Sequence, residues 1–119
     1  MIRRLRSLLL ALLAISSLGA GVRPDGLGDV RSISVEKSPT RTRVVIELSR
    51  KSPYSVNELS GPRRLYVDVD GTWIEPPVGA EQPLDASTNL RLVRGAQNTL
   101  QRSRVVFELA ESSPRPTIF

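Results

Sequence analysis

A chain of 119 residues with a formal net charge of +5, no cysteine and no histidine has room for one domain and one core. It cannot draw on disulfides, thiolate ligands, a cysteine nucleophile, an imidazole base or a His-bound catalytic zinc. Without Arg3, Arg4 and Arg6 the 17 basic residues fall to 14 against 12 acidic ones, and these are scattered rather than run together as a nucleic-acid stripe would be, so no nucleic-acid partner is expected.

The opening MIRRLRS is a basic n-region, and LLLALLAISSL is an uncharged apolar run of signal-peptide length, which predicts a signal peptide over residues 1–21 and export. A spanning helix needs about 20 apolar residues, and Arg23 and Asp25 follow too soon. The membrane is therefore expected to be met only through the signal peptide. Residues 22–28 form a Gly/Pro-rich lead-in without periodicity.

From Asp29 the pattern becomes short β-type runs parted by turn residues, read as strands over Asp29–Glu36, Thr42–Leu48, Tyr54–Leu59, Arg64–Asp70, Asn89–Ala96, Ser103–Leu109 and Pro116–Phe119. Val44, Ile46 and Leu48 alternate with Arg43, Val45 and Glu47; Leu65, Val67 and Val69 with Tyr66, Asp68 and Asp70; Val105, Phe107 and Leu109 with Arg104, Val106 and Glu108. Side chains alternate across a strand, so each run presents one apolar face, the habit of antiparallel sheets with one wet side. Burying each such Val, Leu, Ile or Phe contributes about 1.5–3 kcal/mol.

The segment R-T-R-V-V-I-E-L-S from Arg41 recurs as R-S-R-V-V-F-E-L-A from Arg102, and V-R-S-I from Val30 as L-R-L-V from Leu90. The domain thus reads as duplicated, with halves over 29–71 and 88–119. Neither half can bury an apolar face alone, and packing the two together gives an all-β fold: a small β-sandwich of two similar antiparallel sheets. Between them, residues 72–87 carry three prolines and no β alternation, so they read as a crossover loop.

The motif V-R-x-I from Val30, the strand T-R-V-V-I-E-L-S from Thr42, the turn S-G-P-R-R-L-Y-V-D-V-D-G from Ser60, and L-R-L-V-R-G-A-Q followed by S-R-V-V-F-E-L together resemble the AMIN domain over 29–119. The resemblance implies a periplasmic sandwich without catalytic machinery or cofactor, found in N-acetylmuramoyl-L-alanine amidases and type IV pilus secretins. It also implies that the domain binds peptidoglycan and helps localise its host, with envelope or divisome proteins as further partners. In the amidases a zinc domain with histidine and glutamate ligands follows, and this chain holds no histidine. A truncated amidase and a stand-alone targeting module are both compatible with that.

Ser34-Val-Glu-Lys37 has the S-x-x-K form of serine acylases, but that motif needs a helical turn and partner motifs that are missing. Asp68 and Asp70 share one face of a strand and read as solvated carboxylates paired to arginine rather than a glycosidase pair. Arg31 and Arg91 occupy matching positions in the two halves, as do Arg41 with Arg102 and Arg43 with Arg104, and Arg94 follows on the second half's strand. Paired N–H donors of arginine fit the stem-peptide carboxylates of peptidoglycan, so these seven are the candidate ligand contacts. Cross-strand pairing with Glu47, Glu108 and Asp68 is the alternative. Trp73, together with Tyr54 and Tyr66, is the candidate for stacking on sugar rings, which requires an exposed aromatic face.

Overall fold

The computed structural model describes residues 23–119, so the predicted signal peptide lies outside the described residues. Among the described residues eight strands follow one another: β1 (Gly28–Lys37), β2 (Thr42–Leu48), β3 (Tyr54–Leu59), β4 (Arg64–Asp70), β5 (Thr72–Trp73), β6 (Gln82–Pro83), β7 (Leu90–Thr99) and β8 (Arg102–Leu109). They form two sheets, β2-β1-β5 and β3-β4-β8-β7-β6, and the all-β class expected from alternation is the observed one.

The duplication is visible residue by residue in two hairpins. Val30 pairs with Leu48, Ile33 with Ile46 and Val35 with Val44; at the corresponding places Leu90 pairs with Leu109, Val93 with Phe107 and Gly95 with Val105. Each first strand also breaks register at the same point, between Val30 and Ser32 and between Leu90 and Leu92. A bulge inserts one residue and shifts the phase of the side chains. This is why the buried positions are Val30 and Ile33 on β1, and Leu90 and Val93 on β7, three apart instead of two. The extra residues are Arg31 and Arg91.

The halves do not map onto the sheets. The first half's β3 and β4 join the second half's hairpin, β4 lying antiparallel against β8, so the sheets have three and five strands rather than matching counts. Gly71, at φ 67°, lets the chain leave β4 and cross to the opposite sheet, where β5 pairs with β1 in parallel. A left-handed backbone of this kind is open chiefly to glycine. The core is built where the hairpins face each other: Val30, Ile33, Ile74, Leu90, Val93 and Val105 form one cluster, flanked by half-buried Val35, Val44, Ile46 and Leu48. Leu65, Val67 and Val69 of β4 extend it against Leu48, Phe107 and Leu109.

Two sequence expectations are corrected. Residues 116–119 form no strand. Pro114 and Pro116 cannot donate to a ladder, and the tail instead runs beside β3, where Arg115, Pro116 and Ile118 border a shallow groove with Val56 and Leu65. The segment 72–87 is a crossover, but it holds β5 and β6 and buries Thr72, Trp73 and Ile74. It docks on β7 by close backbone approach: Gly95 N–H donates to Gly79 O at 2.9 Å, and a Cβ on Gly79 would collide with the Gly95 carbonyl.

Candidate functional site

The predicted arginines separate into two groups. Arg43 on β2 donates through Nε and Nη2 to Glu36 Oε1 at 3.0 and 2.7 Å. Arg102 on β8 donates to Asp70 Oδ1 at 2.8 Å. Arg104 grips Asp68 in fork geometry, Nε to Oδ1 at 2.7 Å and Nη2 to Oδ2 at 3.0 Å, with its guanidinium 4.2 Å from the centre of the Tyr66 ring. Bidentate pairing uses the planar donor edge, and stacking uses one face. The Nε–Nη2 edge and one face of this guanidinium are therefore committed within the fold.

Asp68 is not the solvated carboxylate expected from alternation: it is only 4% exposed. The register explains it, because Asp68 lies directly opposite Arg104 across the β4–β8 ladder, and Arg104 folds over it. The hydrogen bond from Arg104 holds the Asp68 carboxyl below its ordinary value, against the opposing effect of burial. The same bond raises the guanidinium of Arg104. With Asp68 tied to Arg104 and Asp70 to Arg102, the two carboxylates are separately neutralised and form no catalytic pair.

Arg31, Arg41, Arg91 and Arg94 behave differently. Arg31, Arg41 and Arg91 are exposed and Arg94 is half-buried, and none of the ion pairs among the described residues includes them. Arg31 and Arg91 sit on the two matching bulges, and bulges re-aim side chains out of the regular pleat. Arg94 stands opposite Val106, which stands opposite Tyr66, so Arg94 shares the outer face of the five-stranded sheet with the Arg104–Tyr66 stack. The equivalent of Arg94 in the first half is Ser34, opposite Val45. The two outer faces are therefore unequal, and the richer arginine surface is that of the five-stranded sheet.

Trp73 is 5% exposed, so it offers no open ring face for a sugar; burial among β5 and its neighbours makes it a core residue. Tyr54 is exposed on the edge strand β3, and Tyr66 is half-buried beneath Arg104. Ser34 and Lys37 lie on β1 three residues apart, which places them on opposite faces of the strand. Lys37 Nζ instead meets Asp85 at 3.3 Å, so the S-x-x-K spacing carries no acylase chemistry.

Sequence reasoning missed Gln97. Its side-chain N–H groups donate to Thr72 O and Thr99 O at 2.9 Å each, and its Oε1 accepts from Ile74 N at 2.9 Å. Beside it, Thr72 Oγ1 lies 2.8 Å from Val69 O and 2.9 Å from Ser103 Oγ. This network fastens the crossover to β7 and β8 with every buried side-chain polar atom partnered. A glutamine near the end of β7 gave no sequence signal for it, since its partners on the crossover are 23 and 25 residues away.

The described residues form a packed sandwich whose surface carries Arg31, Arg41, Arg91 and Arg94 outside any of their ion pairs. The chain belongs to the AMIN domain family, whose family model matches residues 24–118. That family is known for peptidoglycan binding and localisation, is itself non-catalytic, and is associated with periplasmic and envelope proteins. None of the curated proteins compared with the chain matches it. Among the described residues no helix is long and apolar enough to cross a membrane.

Proposed function

We propose that this chain is an exported, periplasmic wall-binding module that localises an N-acetylmuramoyl-L-alanine amidase-like hydrolase, and that Arg91 and Arg94, with Arg31 on the opposite sheet, contact peptidoglycan carboxylates. The observation that carries the reading is the division of the arginines: Arg43, Arg102 and Arg104 each engage a carboxylate of the fold, whereas the bulge residues Arg31 and Arg91 are exposed and lack an ion-pair partner among the described residues. An exposed arginine–carboxylate contact contributes about 0.2–1 kcal/mol, so binding comes from several such contacts along a polymer, and repetition raises avidity without new contacts.

Both sheets and both core clusters of the described residues lie within residues 28–109, so a fragment from Val22 to Phe119 contains them. The test is pelleting of this fragment with sacculi whose free carboxylates have been amidated, beside untreated sacculi. Retention on untreated wall and release from amidated wall is the expected result. Equal retention on both would overturn the arginine mechanism. A folded fragment left in the supernatant in both cases would overturn wall binding and move the assignment to a protein-interaction module of an envelope assembly such as a type IV pilus secretin.

A further inference from the structure

The duplication supplies a template for an edge that the fold leaves open. In the second half, β8 is paired on both sides, with β7 on one and β4 on the other. Its equivalent in the first half, β2, is paired only with β1, and among the described residues no strand lies along its other side. That side runs seven residues, T-R-V-V-I-E-L, without proline. The remaining outer edges of the sandwich are short, two residues each in β5 and β6, apart from β3. Natural sheets blunt long free edges with bulges, prolines or charges directed at a would-be partner. The charges of β2 are arranged otherwise.

The strand that covers β8 shows what this type of edge accepts. Opposite Glu108, Phe107, Val106, Val105 and Arg104 stand Arg64, Leu65, Tyr66, Val67 and Asp68, a series of one base, three apolar residues and one acid. The β2 sequence itself, Arg43-Val44-Val45-Ile46-Glu47, is such a series. Set antiparallel to a second copy about Val45, it places Arg43 opposite Glu47 twice, Val44 opposite Ile46 twice and Val45 opposite Val45. Residues of like parity then meet, so Val44 and Ile46 stay on the core-facing side and Arg43 and Glu47 on the outer side. Opposite charges facing each other across antiparallel strands are stabilising, and like charges there are not. Glu47 is exposed and belongs to no ion pair among the described residues, while Arg43 spends only Nε and Nη2 on Glu36 of the five N–H donors an arginine carries. On β3, by contrast, the same operation centred on Val56 opposes Glu58 to Tyr54 and makes no ion pair.

The geometry points to a symmetric dimer of this chain, formed by antiparallel β2–β2 pairing in the register that centres on Val45, with a six-stranded sheet β5-β1-β2-β2-β1-β5 running through the two copies. The interface is isologous: each copy offers the same patch, and residue 43 of one meets residue 47 of the other.

The absence of native cysteine makes the test direct. In the full chain carrying Val45→Cys, the two sulfurs are directly opposed across the pair, where Cα atoms lie about 4.5–5.5 Å apart, within disulfide reach. Mild oxidation should convert most of the chain to a disulfide-linked dimer, and Thr42→Cys, which this register places opposite Leu48, should remain monomeric. Equal cross-linking of the two variants, or none of either, would overturn the register. Charge variants read the interface without cysteine. Arg43→Glu alone and Glu47→Arg alone should each elute as monomers while keeping the wild-type circular dichroism spectrum. An equimolar mixture should recover the dimer, because at positions 43 and 47 one variant is then wholly acidic and the other wholly basic, and every facing pair across the mixed interface is of unlike charge. A mixture that stays monomeric, or single variants that remain dimeric, would refute the pairing.

Discussion

Replacing Arg104 by methionine keeps most of the apolar stem and removes both N–H donors that reach Asp68. Asp68 is 4% exposed, so its carboxylate is left desolvated and without a partner. Breaking a buried ion pair from one side costs about 3–5 kcal/mol; because the Arg104 side chain is itself 34% exposed, the lower end applies, about 3 kcal/mol. For a domain of this size each kcal/mol moves the midpoint by about 4–8 °C, which predicts a fall of about 12–24 °C in thermal unfolding followed by circular dichroism at pH 7. The pH dependence adds a signature. In the wild type the Asp68 carboxyl is held below its ordinary value of 3.8, first by the Arg104 hydrogen bond. The stability this confers is present above that ordinary value and is lost as pH falls through the lower folded value. In Arg104→Met the unpaired carboxyl takes up its proton at higher pH, which relieves the penalty. The gap between variant and wild type should therefore narrow steadily from pH 6 to pH 3. A midpoint within about 2 °C of the wild type at pH 7, or a gap independent of pH, would refute the assignment of Asp68 as a buried, paired charge.

Gln97→Leu leaves Ile74 N and Thr72 O without their part-buried partner, and unsatisfied buried groups cost about 1–3 kcal/mol each; chemical denaturation should show a loss of about 2–6 kcal/mol, toward the lower end because the site is only part-buried, and no change would mean that water replaces the side chain. Trp73→Ala should destabilise by about 3–5 kcal/mol through the cavity it leaves, whereas Trp73→Phe should pellet with sacculi as well as the wild type does, and a selective loss of wall binding in a folded Trp73→Phe variant would restore Trp73 as a ligand contact.

Much of the fold is written locally. The β-type runs at Thr42–Leu48, Tyr54–Leu59 and Arg64–Asp70, parted by turn residues, set those strands at the observed bounds, and the repeat marked the duplication that the structure shows as two matching hairpins. What alternation cannot carry is which strand neighbours which. The membership of β4 in the second half's sheet rests on pairings between residues 32 to 44 positions apart. That same pairing buries Asp68, which by parity alone belongs on a wet face. The candidate site was legible as a list of arginines, but their division into paired and unpaired groups was not. Arg43 meets Glu36 across its own hairpin, whereas its counterpart Arg104 faces Ala96 there and meets Asp68 on a third strand; a similar local motif acquires different partners because its hairpin neighbour differs and only one copy has a strand on its far side. The bulges that single out Arg31 and Arg91 left a trace in the sequence, the three-residue spacing of Val30 to Ile33 and Leu90 to Val93. That spacing has meaning only once both are known to lie in strands.

If unpaired arginines on the five-stranded face hold the chain to the wall, removing them should release it. The deciding measurement is co-sedimentation of the Val22 to Phe119 fragment with purified sacculi at low and high salt, beside a variant in which Arg91 and Arg94 are both replaced by alanine. Two exposed charge contacts of about 0.2–1 kcal/mol each correspond to a loss of about 2- to 30-fold in affinity. That loss is expected at low salt, in a variant as thermally stable as the wild type, with little difference between the two at high salt, where screening has already weakened the contacts. Undiminished pelleting of the double variant at low salt, with Arg43→Ala reducing it instead, would show that the wall is held by a different surface.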